Sequence, residues 1–166
     1  MKKVKIVAMV VLMLFVAACN SGQVNTSKMA LSNEEKQEII SEVMAVSSKW
    51  IDDNNAMNPD RAIEFWSTSP NLRFAEFGEF FVNRDSIHST LKSYYDYTRN
   101  MDVKWLSRDV RPIAKNIALL SGKFQFKMVF NNGEVFEGIN AFTATMIKEE
   151  GKWSLIQGHE STKFPE

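Results

Sequence analysis

Lys152-Trp153-Ser154-Leu155-Ile156-Gln157-Gly158-His159-Glu160-Ser161-Thr162 carries the two-residue period of a strand with one face in a core. Followed without a break, that period puts Trp153, Leu155, Gln157, His159 and Ser161 on one side. Ser154, Ile156, Gly158, Glu160 and Thr162 fall on the other, with Glu160 reading as a solvated or inter-subunit residue. Upstream, Glu149-Glu150-Gly151 is a turn and Val135 to Lys148 a strand. Asn131-Asn132-Gly133 is a type I′ hairpin signal, preceded by strands over Asn116 to Phe130 and Val103 to Ile113. The carboxy-terminal part is therefore a meander of four strands.

Before residue 101 the period changes. Ser32-Asn-Glu-Glu35 is a capping box, and Ile39, Ile40, Val43, Met44, Ser47, Trp50 and Ile51 follow at helical spacing. Asn54-Asn55 ends that helix, and Asn58 caps a short second one from Pro59 to Trp66. Leu72 to Phe77, Gly78, and Glu79 to Val82 read as a hairpin. Asp85 is the expected cap of a third helix reaching about Arg99, with Ile87, Leu91, Tyr94, Tyr95 and Thr98 on its inner side and His88 towards solvent. Helices first and a meander last define an α+β domain with its helices on one face of the sheet.

The order of these elements, together with the closing Gly151-Lys152-Trp153-Ser154-Leu155-Ile156 and His159-Glu160-Ser161, resembles the NTF2-like superfamily, more narrowly its SnoaL-like and DUF4440-type members. The resemblance covers roughly residues 33–164. It implies a cone: a curved antiparallel sheet around a long first helix, with two further helices and an apolar pocket at one end. It also implies a homodimer formed through the outer sheet face. The superfamily holds isomerases, dehydratases, cyclases and binding proteins, so the fold does not choose among them.

Within that frame the pocket is expected to draw on Trp50, Trp66, Phe74, Tyr94, Trp105, Arg111, Phe126, Phe142, His159 and Ser161. The aromatics serve equally as core. His159, ahead of Ser161, has the pKa range of a general base or ligand donor, and also suits a structural hydrogen bond. Glu76, before Gly78 and among Phe74, Phe77, Phe80 and Phe81, occupies roughly the place of the catalytic carboxylate in the ketosteroid-isomerase branch. Phenylalanines around it would raise its pKa. Alternation leaves open whether Glu76 faces the pocket or water, and Trp50 stands where that branch has an oxyanion-stabilising tyrosine. Arg73 and Arg111 suit either a ligand carboxylate or a surface pair.

Composition narrows the function further. The chain has 166 residues with 20 basic and 20 acidic side chains, and no basic block interleaved with aromatics, so nucleic acid is not an expected partner. His88 and His159 are far apart and lack metal-ligand spacing; no metal is expected. No GxGxxG, Walker or HExxH pattern occurs, so no cofactor is expected. Twelve Phe and four Trp offer ample apolar area for a core.

At the amino terminus Lys2, Lys3 and Lys5 precede the apolar run Ile6 to Val16, ending in Val16-Ala17-Ala18-Cys19. The run is shorter than the ~20 residues of a spanning helix and has the layout of an export signal. The single cysteine stands where a lipobox would place it, and the segment resembles a bacterial lipoprotein signal peptide, which implies lipidation at Cys19. Asn20, and not Asp, leans towards the periplasmic side of the outer membrane. The expected division is a signal over 1–18, a flexible tether over 19–31 and one domain over 32–166.

The expected function is a membrane-tethered envelope protein whose cone binds a small apolar or amphipathic molecule without catalysis. Such binding calls for a cavity of several hundred cubic ångströms. The alternative is a cofactor-independent isomerase, dehydratase or cyclase using Glu76 or His159 as its base.

Overall fold

The computed structural model describes residues 31–165. The signal-like segment, Cys19 and the tether as far as residue 30 lie outside the described residues.

Helix α1 (Asn33–Asn55) begins with the expected capping box. The Glu35 N–H donates to Ser32 Oγ at 3.1 Å and the Ser32 N–H to Glu35 Oε2 at 2.8 Å, satisfying two donors that have no helical partner. Its apolar stripe, Ile39, Val43, Ser47, Trp50 and Ile51, is buried. Asn58 caps α2 (Pro59–Ala62) through the Arg61 N–H, a 3-10 turn follows over Ile63–Phe65, and Trp66, expected to end the helix, is extended and bridges to Leu155. Strands β1 (Arg73–Glu76) and β2 (Glu79–Phe81) form the hairpin. Helix α3 (Arg84–Tyr97) is capped by Asn83, whose side chain accepts from the Ser86 N–H, and not by Asp85. Two cap-prone residues stand two apart there, and the first takes the role. His88, expected to face solvent, lies within 2.9 Å of the Asp60 carboxylate.

Strands β3 (Thr98–Ala114), β4 (Ile117–Phe130), β5 (Val135–Glu149) and β6 (Lys152–Lys163) make the meander. The sheet order is β2-β1-β6-β5-β4-β3. All neighbours are antiparallel except β1 and β6, which run parallel, with Arg73 opposite Gln157 and Ala75 opposite His159. The expected antiparallel sheet is thus mixed.

Turn chemistry also departs from expectation. Phe77-Gly78 and Glu150-Gly151 are the two-residue turns with both residues at positive φ, at 47° and 85°, and 50° and 80°. At Asn131-Asn132-Gly133 only Gly133 is left-handed, at 89°, and Gly133 N–H donates to Phe130 O at 2.9 Å. Asn131 is instead spent on α3: its backbone N–H reaches Tyr97 O and its Nδ2 reaches Asp96 O, both at 2.9 Å.

Bulges bend two strands. In β3 the pairing steps from Trp105 opposite Phe124 to Ser107 opposite Lys123, leaving Leu106 unpaired. Gly122 lies at this bulge, where a Cβ would stand 2.3 Å from Ser107 O. In β6 the pairing steps from Leu155 opposite Met146 to Gln157 opposite Thr145, so Ile156 is the extra residue. A bulge shifts the two-residue period by one and exchanges the faces of everything beyond it. Trp153 and Leu155 point into the core, and so do Gly158 and Glu160, while Gln157, His159 and Ser161 are exposed.

The core is aromatic. Trp50 stacks on Phe65 at 4.8 Å and meets Trp66, Trp105, Phe124 and Phe142 at 5.5–5.9 Å between ring centroids. Polar bonds fix α1 to the sheet. Asn55 bonds both ways with the Val103 backbone, at 2.7 and 2.9 Å, occupying groups that edge strand β3 would leave free. The Arg108 guanidinium reaches Met44 O, Ser47 Oγ and Ser48 Oγ at 2.8–3.0 Å. Glu42 receives Lys148 Nζ and Trp153 Nε1 at 2.7–2.8 Å. Among the described residues no helix is long and apolar enough to cross a membrane.

Candidate functional site

A mainly apolar cavity of about 90 Å³ lies between α1, α3 and the inner face of the sheet. Helix α1 contributes Trp50 and Asn54, helix α3 contributes Tyr94 and Tyr95, and β4 contributes Phe124 and Phe126. The cavity is well below the several hundred cubic ångströms expected from the sequence, because packed rings fill most of the cone. Phe77, at the β1–β2 turn, also borders it and rests on Phe126 and Phe136. An aromatic residue at φ 47° is uncommon, and the neighbouring Gly78 completes the turn that makes it possible.

Two carboxyl groups border this apolar space, Glu76 from β1 and Glu160 from β6. Burial pushes the Glu76 pKa up to about 7. Glu160 is raised well above the carboxylate range, first by burial and then by Glu76, while a hydrogen bond from Asn140 opposes the rise. Asn140 Nδ2 donates to Glu160 Oε2 at 2.5 Å, and Thr162 Oγ1 donates to Asn140 Oδ1 at 2.6 Å, which fixes the amide's orientation. Among the described residues neither acid enters an ion pair.

Around the acids the donors are arranged unevenly. Tyr95 Oη donates to Asn54 Oδ1 at 2.8 Å, and Asn54 Nδ2 to Trp50 O at 2.7 Å. Burial raises the Tyr95 pKa, with Asp53 and Glu76 adding to it; Tyr94 is raised by burial and by Glu76, Glu79 and Glu160. Both phenols therefore stay protonated near neutrality. The indole N–H groups of Trp50 and Trp66 are buried and have no hydrogen-bond partner among the described residues, although both rings border the cavity. An unmet buried donor carries a cost of about 1–3 kcal/mol.

Of the residues expected at the pocket, Trp50, Trp66, Tyr94 and Phe126 border this cavity, and so does Glu76, whose side alternation leaves open. Phe74, Trp105 and Phe142 pack beside it in the core. His159 and Arg111 lie instead on the outer sheet face, around an open depression of about 430 Å³ that also includes Asp109 and Thr143. Ser161 is exposed, and Arg73 bonds to the carbonyls of Pro70, Leu72 and Val82. The Ile156 bulge is the physical reason for the exchange: Glu160, read as solvated, is inside, and His159 is outside. Asn140 and Tyr95, which complete the polar lining, were not singled out by the sequence; Asn140, polar among apolar residues on one strand face, was the available signal. No group of three or more His, Cys, Asp or Glu among the described residues is placed to hold a metal ion.

A bent six-stranded sheet closed by a long helix, with a cavity at the open end, is the NTF2-like cone. A profile of the SnoaL-like domain matches residues 43–165, and the chain belongs to that family. Solved structures agree in fold. A candidate scytalone dehydratase from Novosphingobium aromaticivorans superposes with a TM-score of 0.71 at 11% identity, over 80% of this chain and 89% of that one. A hexachlorocyclohexane dehydrochlorinase gives 0.69 at 7% identity, over 80% and 90%. An NTF2-like superfamily protein from Salmonella enterica serovar Typhimurium gives 0.67 at 14% identity, over 81% and 95%. No curated protein matches the chain.

Proposed function

We propose that this chain is a lipid-tethered envelope protein whose cone binds a small molecule in the cavity between α1, α3 and the sheet, without catalysis. The observation that carries the reading is the polarity at the border of an apolar space: two acids that, among the described residues, enter no ion pair. A ligand carrying the complementary groups would offset their desolvation. The cavity's size restricts the occupant to a few heavy atoms, since an engineered cavity of about 150 Å³ accommodates benzene. Anchoring at Cys19, the periplasmic side of the outer membrane, and pairing of two copies through the outer sheet face belong to the same proposal. Their support is the sequence of the first twenty residues and the superfamily resemblance. Native mass spectrometry of the full chain tests the binding: a co-purifying small molecule that leaves on activation is expected. An unliganded mass, with no thermal shift from any member of a panel of small polar organics, counts against it.

A second reading rests on one specific observation, the Glu76 carboxyl titrating near neutrality beside Glu160, whose pKa burial also raises, and the neutral Tyr94 phenol. That is the condition for a general base that removes a proton next to a carbonyl. Dehydratase and dehydrochlorinase names occur among the fold relatives, at identities that speak for the fold alone. Deuterium uptake into acetone from heavy water, lost in Glu76→Gln, is the expected sign of such chemistry; uptake equal in both proteins excludes it.

A further inference from the structure

The geometry points to a small organic cation bearing an oxygen acceptor, of the amino-alcohol class, as the ligand of the cone cavity. This inference rests on the binding reading above and gives it a chemistry.

Three features of the cavity wall converge on that class. The first is charge: Glu76 and Glu160 border the cavity, and among the described residues no Lys, Arg or His does. An anionic ligand would meet repulsion from Glu76 there, whereas an ammonium group supplies the counter-ion that Glu76 lacks among the described residues. The second is the aromatic lining. Trp50, Trp66, Tyr94, Tyr95, Phe124 and Phe126 present ring surfaces that attract a cation within about 6 Å and tolerate its alkyl groups. The third is the Tyr94 hydroxyl, a neutral donor on a residue that borders the cavity. It suits a hydroxyl or ether oxygen on the same molecule. A purely apolar ligand would leave the Glu76 carboxyl without a partner.

The titratable groups around Glu76 set the pH behaviour. Glu160 faces it from β6, and Tyr94 and Tyr95 from α3; Glu79 on β2 and Asp53 on α1 act on those phenols. The phenols remain neutral across the working range, so Glu76 is the group whose proton a cation displaces. Affinity for the cation therefore rises as pH climbs through about 7 and flattens above it.

The test is calorimetric titration of the full chain with ethanolamine and with its neutral carbon isostere propan-1-ol. Ethanolamine is expected to bind at least about tenfold more tightly. Its affinity is expected to fall by a similar factor in Glu76→Gln, which keeps the shape of the side chain, with circular dichroism confirming that the variant is folded. Affinity for propan-1-ol stays level between about pH 6 and pH 8 while that for ethanolamine rises. Equal binding of the two probes overturns the cationic assignment and leaves small-molecule binding standing. Binding of neither also overturns it, and native mass spectrometry then decides the broader reading separately.

Discussion

Asn140 on β5 and Glu160 on β6 are diagonal neighbours on the inner face of the sheet, joined by a 2.5 Å hydrogen bond that the amide donates. Both residues are at least nine-tenths buried, so the bond is the protein's main compensation for a carboxyl held in an apolar space. The same amide accepts from Thr162 and cannot turn over without losing that donor.

Asn140→Ala should cost about 1–3 kcal/mol of stability, because it leaves the Glu160 carboxyl and the Thr162 hydroxyl without their partner. Urea unfolding monitored by tryptophan fluorescence measures it. In the same variant the Glu160 pKa should rise further, since the Asn140 bond is the one contribution lowering it.

Stability should fall as pH rises from about 4.5 through about 7. Glu76 holds its proton in the folded chain up to about 7, whereas the unfolded chain releases it near the ordinary value of 4.5. In that window the folded state binds more protons, which makes the slope of stability against pH negative. Glu160 acts in the same direction. Glu76→Gln should flatten the curve and leave the variant about 1–2 kcal/mol more stable than the parent on the alkaline side. Urea midpoints on both sides of neutrality supply the comparison, and a parent midpoint that climbs across the window would contradict the raised pKa.

Arg108→Ala should destabilise by about 2 kcal/mol, since three acceptors on α1 lose their donor at once. One of the three, Ser47, is fully buried. Arg108→Lys should recover only part of the loss, because all three bonds converge on Nη1, one bond beyond the reach of a lysine Nζ, and the guanidinium's place 5.4 Å over the Trp105 ring is lost. Thermal unfolding of the two variants ranks them.

Glu150→Asn should stabilise the chain by about 0.5–1 kcal/mol. Glu150 sits at φ 50° before Gly151, in a turn whose first position favours asparagine. A rise of a few degrees in melting temperature is the expected result, and no rise would mean that the turn carries no strain.

What the sequence disclosed was local. The Ser32 capping box, the Asn58 cap and the stripe of α1 are each written in a few consecutive residues and form as read; the four long strands form in the order read, but β3 begins at Thr98 and not Val103, taking residues expected to close α3. The site was less legible because it depends on facts with no local mark. Ile156 is as good a strand residue as its neighbours, so nothing at that position announces a bulge; yet the bulge sends His159 outward and Glu160 inward. The parallel pairing of β1 with β6 joins segments about eighty residues apart, which no window of sequence contains. The cavity's small volume follows from how Trp50, Phe65, Phe124 and Phe142 nest together, a property of packing and not of composition.

The β1–β6 pairing also orders events during synthesis. The strand bearing Glu76 leaves the ribosome early, but its partner on that side of the sheet is the last strand of the chain. Until residues near His159 emerge, the nascent hairpin of β1 and β2 keeps an unmatched edge and an exposed Phe74. The chamber can therefore close only after translation of the domain is nearly complete, and a chain truncated before β6 would be a target for chaperones instead of a smaller working protein.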